Sequence, residues 1–295
     1  AICIIPILLG KIGLPGTNPG QREAEPSVSL VGGLPGGKNP VKACIPCYEW
    51  LNAVDHGKEM TATNAGVTGV EQLNNDIKFL WNYAGNCITN QHGDINKVHE
   101  ILSDESKCEF ILVWDTVMTD SAKYADILLP DAMRSEQLNM KTNGYTEWYT
   151  GVVVGGPAQD APGECRTSYD VMADIADKFG VKDQFTEGKT QEDWIRELYE
   201  AGAEEDSEMP SWDEIVAQGV YKRELPTAIG LKDFRDDPEA NPLETPSGKI
   251  EIYSERLAEI AATWELEEDE SINPIPVFAP GFQGYGSVND EYPLY

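Results

Sequence analysis

Asp115 ends an apolar run, FILVWD, and is followed by the polar turn TVMTD and a second short apolar run, ILLP, that closes on Asp131. A carboxylate at such a tip is a hydrogen-bond acceptor placed where ligands of open α/β sheets bind, outside the carboxyl ends of the strands. The upstream run KFLWNYAGN, Lys78 to Asn86, has the same form and stops at small and amide residues. Asn82 and Asn86 offer amide groups there, Gly85 lets a ligand approach the backbone, and Trp114 stands directly before the carboxylate. Each has a plainer reading. Asp is common as the cap of the turn that follows it, and Asn82 and Asn86 suit turn stabilisation equally well. Asp126, in YADILLP, fits capping or structural pairing better than ligand contact.

For these tips to share one edge, the two runs must be parallel strands joined by a helix. The segment between them reads as that helix, which makes one βαβ unit within residues 68 to 131, and both FILVWD and ILLP, on either side of the polar turn, carry buried-strand patterns. Asn143 to Gly163, with GVVVGGP, reads as a hairpin or extended passage. YDVMADIADKFG (Tyr169 to Gly180) places apolar residues at helical spacing before a closing Gly, with Ser168 or Thr167 at the cap. TQEDWIRELYEAGA puts Thr190, Glu192 and Asp193 at the positive end of a helix dipole, and SWDEIVAQG opens on the capping pair Ser211 and Glu214. These helices are expected to pack on the sheet. Leu231 to Glu244 reads as a polar linker, GKIEIYS (Gly248 to Ser254) as a half-exposed strand carrying Lys249 outward, and ERLAEIAATWELEED as a helix. The opening AICIIPILLG reads as the end of a buried helix. Residues 13 to 40, with GLPGTNPG and GGLPGGKNP, form a long irregular loop, and the tail from Ile272 is too rich in Pro and Gly for regular structure. The expected class is α/β, a mostly parallel sheet flanked by helices with irregular Gly/Pro-rich N- and C-terminal segments. Its expected divisions are residues 1–67, 68–230 and 231–295.

Composition narrows the function. The 295 residues are 41% hydrophobic, enough for a core. A formal charge of −29 with no Lys/Arg cluster excludes a nucleic-acid partner. It also opposes free anionic substrates and leaves a small neutral oxidant unopposed, although acidic surfaces serve solubility in general. No G-x-G-x-x-G follows a strand and no G-x-x-x-x-G-K-[ST] occurs, which removes the usual support for nicotinamide and nucleoside triphosphate readings. Of the cysteines at 3, 44, 47, 87, 108 and 165, only Cys44 and Cys47 have metal-ligand or redox spacing. They lack the second pair or the histidines that a zinc site needs, and read as ordinary thiols. No stretch approaches the ~20 apolar residues of a membrane span, and the opening, broken by Pro6 and Gly10, does not read as a signal peptide.

The pair WNYAGN…NQHGDINKVHEIL and VWDTVMTDSAKYADILLPD resembles the molybdopterin oxidoreductases of the dimethyl sulfoxide reductase family. Their usual form is a strand, an acidic residue, Thr-x-x-Ala, then Ala-Asp and a hydrophobic run ending in Pro. The stretch Phe234 to Glu270 looks closer still to the catalytic subunit of the membrane-anchored bacterial members. With LLGKIGLPGTNPGQRE, the resemblance covers most of the chain.

The resemblance implies reduction of a small S- or N-oxide by oxygen-atom transfer at a molybdenum carried by two molybdopterin guanine dinucleotides. Guanine can be held by a carboxylate that accepts its N1 and exocyclic N2 protons, and Asp115 falls where a family residue contacts the guanine end. Asn86 matches a polar family residue at the preceding strand end. Gly16, Thr17, Asn18 and Gly20 align with a loop that runs near the pterins. Gln137 stands where some relatives carry a cofactor-contacting Lys, and Ser168 stands opposite an acidic residue of some relatives, although a helix cap already explains it. The resemblance places the metal ligand and an iron-sulfur segment upstream, and a further domain beyond Tyr292-Pro293-Leu294. The chain is therefore expected to be an internal fragment, inactive alone and holding no cofactor by itself. Expected partners are an iron-sulfur electron-transfer subunit and a membrane anchor subunit, with a peripheral place on the periplasmic side of the cytoplasmic membrane. A non-catalytic nucleotide-binding module, or a family member acting on nitrate, selenate or formate, remains open at this point. A freestanding dehydrogenase lacks its glycine turn.

Overall fold

The computed structural model describes residues 4–17, 29–91, 93–142, 149–226, 229–266, 270–278, 288–291 and 293. The helices, in chain order, are α1 (Ile4–Leu8), α2 (Trp50–His56), α3 (Cys87–Asn90), α4 (Ile95–Leu102) and α5 (Ser168–Lys178). They continue with α6 (Lys182–Thr186), α7 (Gln191–Glu205), α8 (Trp212–Gln218), α9 (Lys232–Asp236) and α10 (Glu255–Thr263). The strands are β1 (Phe79–Tyr83), β2 (Phe110–Asp115), β3 (Ile127–Pro130), β4 (Asn139–Thr142), β5 (Tyr149–Gly155) and β6 (Val220–Glu224). They form two compact units, one of Ala24–Met60 with Thr68–Thr227, the other of Ala1–Glu23, Thr61–Val67 and Ala228–Tyr295.

In the larger unit, β1, β2 and β3 make a parallel sheet in that order. β2 is its centre because four successive apolar residues, Ile111 to Trp114, are all buried, the pattern of a strand covered from both sides. One face, with Leu80, Ile111 and Val113, packs on Leu51 and Val54 of α2 and on Val98, Ile101 and Leu102 of α4. Asp94 starts α4 by accepting from Lys97 N at 3.0 Å. Two expectations need correction here. β3 is an edge strand whose Ile127 and Leu128 are exposed, and β1 is also largely exposed, so neither is a buried run. The periodicity of an apolar run specifies a strand and leaves open whether anything covers it.

A second sheet, β4-β5-β6, is antiparallel and stands beside the parallel one in the same unit. Val152 and Val154 of β5 turn inward on Tyr199, Met209 and Ile215 and on the loop residues Leu30 and Val31. The later helices α7 and α8 thus pack on this sheet. Their starts follow the sequence closely: Thr190 and Asp193, then Ser211 and Glu214, form reciprocal capping boxes. Thr167 caps α5 by accepting from Asp170 N, so Ser168 is the first helical residue and has no capping role. Arg223 of β6 joins Asp206 and Glu208 at 2.7 and 2.8 Å and ties the end of α7 to the sheet.

The smaller unit departs most from the sequence reading. α1 buries none of its residues. The supposed linker 231–244 contains α9, whose Arg235 donates to the carbonyls of Gly10 and Ile12 at 2.9 and 2.7 Å. Gly248 to Ser254 forms no strand: the chain turns at Gly248 (φ +68°), and Thr245 Oγ1 donates to Lys249 O at 2.7 Å. Alternation alone does not make a strand, and among the described residues no strand pairs with this segment, so Lys249 sits in a loop. Ser254 caps α10 as its sequence suggests.

Candidate functional site

Because β1 and β2 run parallel, both leave the sheet at the same edge, and Ala84 N extends the pairing by donating to Trp114 O at 2.9 Å. Ala84 has φ +50°, a left-handed conformation that side-chain-bearing residues adopt rarely and that collects at functional turns. Asn82 is buried and donates through Nδ2 to Gly85 O, closing this turn. Asn86 Oδ1 accepts three bonds, from Ser121 N (2.9 Å), Ser121 Oγ (2.7 Å) and Thr89 Oγ1 (2.9 Å). It thereby joins the end of β1 to the short helical turn Ser121–Tyr124 that follows β2. Its Nδ2 has no partner among the described residues. Asp115 Oδ1 accepts from Thr116 N at 2.7 Å, as a turn cap does. Its Oδ2 has no partner and no cation pairs with it among the described residues.

Asp131, which the sequence reading passed over, completes this edge. Its N–H donates to Asp115 O at 3.1 Å, which brings it beside that residue at the end of β3. The side chain is 7% exposed; Oδ2 accepts from the Tyr83 hydroxyl at 3.3 Å and Oδ1 has no partner. Burial raises its pKa above the ordinary carboxylate value, bonds from Tyr83 and Ala132 N–H oppose that, and the Asp115 charge adds to it. The edge therefore offers one carboxylate oxygen free to accept and a second carboxyl that burial makes harder to ionise. The only sequence signal for Asp131 was its position after ILLP, in step with Asp115.

Trp114, Gln137 and Ser168 lie elsewhere, along a groove of about 1100 Å³ shared by the parallel sheet, β4, α5 and α7. Trp114 is buried, with its Nε1 unpartnered, and stacks on Trp81 and edge-on against Tyr83. Gln137 is occupied structurally, donating to Ala132 O at 2.7 Å and accepting from Gln191 Nε2 at 3.0 Å. Gly16, in the smaller unit, is an exposed turn residue with φ +76° and open space around it, and Asn18 lies outside the described residues. Asp126 Oδ2 accepts from Ile111 N at 2.7 Å, a structural bond between β2 and the start of β3. Cys44 and Cys47 are exposed, and no group of three or more His, Cys, Asp or Glu that could hold a metal occurs among the described residues. Among those residues, too, no helix is long and apolar enough to cross a membrane.

The chain is 48% identical over its full length to the dimethyl sulfoxide reductase DmsA of Haemophilus influenzae, of which it covers 37%. It is 50% identical over 97% of its length to the putative dimethyl sulfoxide reductase chain YnfE of Escherichia coli, covering 36%. It is 31% identical over 85% of its length to a dimethyl sulfoxide/trimethylamine N-oxide reductase of Rhodobacter capsulatus. The chain thus spans little more than a third of the curated relatives it matches. The fold matches that of acetylene hydratase from Pelobacter acetylenicus with a TM-score of 0.53 at 19% identity, covering 81% of this chain and 26% of that one. The family model for molybdopterin oxidoreductases matches residues 1–178, more than half of the chain, and with it the molybdenum-molybdopterin cofactor that the family implies: the chain belongs to the molybdopterin oxidoreductase family.

Proposed function

We propose that this chain supplies the guanine-binding part of a molybdopterin oxidoreductase that reduces a small S- or N-oxide by oxygen-atom transfer. The observation that carries the reading is that Asp115, with an unpaired carboxylate oxygen, and Asn86, with a free amide nitrogen, follow neighbouring parallel strands at the same edge of the sheet. A guanine edge presents two N–H donors side by side and a carbonyl beyond them. Asp115 would accept from the donors, Asn86 Nδ2 would donate to an acceptor, and the backbone of Ala84 and Gly85 would be available to the base. The donor set fits a base edge and does not fit a metal ion, which needs more ligands than this edge gathers. When bound, the cofactor supplies the oxygen-atom and electron chemistry; these residues hold and orient its nucleotide end. The relatives' sulfoxide and amine-oxide activities support the substrate class. An electron-transfer subunit, an iron-sulfur relay, a membrane anchor and a periplasmic location belong to the same reading of the intact protein.

The test is Asp115→Asn in the full-length protein, with guanine nucleotide released from the purified enzyme measured against molybdenum. Replacing a charge-assisted acceptor removes about 1.5–3 kcal/mol, or roughly tenfold to hundredfold in affinity. Retention of wild-type cofactor content and dimethyl sulfoxide turnover by a folded Asp115→Asn enzyme would refute the assignment.

A further inference from the structure

The parallel sheet is fully packed on one face and only partly covered on the other, where Leu112 and Trp114 of β2 are buried but β1 and β3 are not. In-register residues of the opposite face, Phe79, Trp81 and Tyr83 on β1, Trp114 on β2 and Ile127 on β3, form an aromatic surface. Its outer members are 51%, 38%, 51% and 45% exposed at Phe79, Trp81, Tyr83 and Ile127. Their rings are already ordered against one another, Trp81 stacking on Trp114 at 6.1 Å and Tyr83 meeting it edge-on at 5.3 Å. Parallel sheets occur almost solely with both faces covered, and a contiguous exposed apolar patch marks a contact surface.

We propose that in the intact protein this face is covered by an apolar segment of the same polypeptide lying outside residues 1–295. Three observations favour that occupant. The groove along this face, about 1100 Å³, lies above the range of small-ligand pockets and would be nearly empty around a small neutral oxide. Lys141 is its one charged lining residue, so a single cation would face the two phosphates of a dinucleotide along an otherwise uncharged groove. A second copy would bring another charge of −29 against the first, which opposes self-association. By contrast, the matched reductases are long enough to supply the cover, since this chain accounts for only 37% and 36% of two of them. The inference does not depend on how the nucleotide is held.

Two measurements on the full-length protein decide it. In hydroxyl-radical footprinting of the unmodified monomer, Tyr83 is expected to lose its reactivity while Tyr48, 67% exposed, keeps it as internal standard. With Phe79 replaced by the photo-crosslinker benzoylphenylalanine, the crosslinked peptide is expected to come from the same chain, outside residues 1–295. Oxidation of Tyr83 as fast as Tyr48 overturns the proposal. So does a crosslink to a second copy, to another subunit or to a peptide within residues 1–295. The footprint needs no variant, so a Phe79 replacement that fails to fold leaves the proposal open to refutation.

Discussion

Replacing Asn86 by alanine separates the work this residue does for the fold from the work proposed for it at the cofactor. Its Oδ1 is the acceptor for the backbone N–H and the hydroxyl of Ser121, a fully buried residue, and for the Thr89 hydroxyl. The Ser121 hydroxyl can turn toward Thr89 Oγ1, 3.4 Å away, so its loss is partly repaired. The Ser121 N–H has no other acceptor among the described residues. One orphaned buried donor costs about 1–3 kcal/mol and the lost bond to Thr89 adds up to about 1 more, giving about 1–4 kcal/mol for Asn86→Ala. Asn86→Asp keeps the acceptor and removes the Nδ2 donor, so it is expected to lose under about 1 kcal/mol of stability. Native-state hydrogen exchange at the Ser121 amide reads this directly: about 2 kcal/mol is roughly a thirtyfold loss of protection, expected for alanine and absent for aspartate. Cofactor content of the full-length Asn86→Asp protein then reports on the lost donor together with the added negative charge, with the fold intact. Undiminished protection of Ser121 in Asn86→Ala, or equal damage from aspartate and alanine, would refute the assignment of Oδ1 as the link between the two strand ends.

Two further outcomes follow from close packing and from burial. Gly202→Ala places a Cβ 2.1 Å from Leu30 O, where α7 meets the loop that closes the second core. The gain in helix propensity, about 1 kcal/mol, is outweighed by overpacking of about 1–3 kcal/mol, and a lower urea midpoint is expected; a rise would show that the loop yields freely. Asp131→Asn is expected to stabilise the protein by about 1 kcal/mol near neutral pH, because an ionised, half-satisfied carboxylate is no longer buried. The sign follows from the raised pKa: the native state holds the Asp131 proton more tightly than the unfolded chain. Wild-type stability from this group therefore falls as pH rises from the unfolded value, about 3.9, to the raised native one. Below both values the gap in urea midpoint between variant and wild type should close, and a gap independent of pH would show that Asp131 ionisation plays no part.

What the sequence disclosed and what it withheld divide along the range of the interactions. The helix starts at Asp94, Thr190, Ser211 and Ser254 are contacts between a side chain and a backbone N–H three residues on, so local sequence specifies them. The pairing of β1 with β2 was legible because two apolar runs of equal form flank a helix with polar tips. β6 was not, since VYKRE alternates weakly and becomes a strand only by pairing with β5. GKIEIYS shows the reverse: it has the alternation and pairs with no strand among the described residues. At the site, residue type told which groups can accept or donate, while their occupancy depended on contacts distant in sequence. Asn86 is engaged by Ser121, thirty-five residues away. Asp131 acquires its character from burial and from Tyr83, which no spacing rule predicts.

The acidity of this edge constrains how a dinucleotide can lie on it. Asp115 and Asp131 are adjacent, no cation pairs with either among the described residues, and the chain as a whole carries −29. A phosphate brought against this pair meets repulsion that salt weakens only beyond a Debye length of about 8 Å, whereas a guanine edge brings two N–H donors to the same oxygens. On the proposed reading the base therefore sits at the β1/β2 tips and the pyrophosphate points away from them. There it must be met by backbone N–H groups or by cations that these two strands do not supply. The same polarity distinguishes guanine from adenine, whose corresponding ring edge carries an unprotonated nitrogen that would face the Asp115 carboxylate without a proton to share.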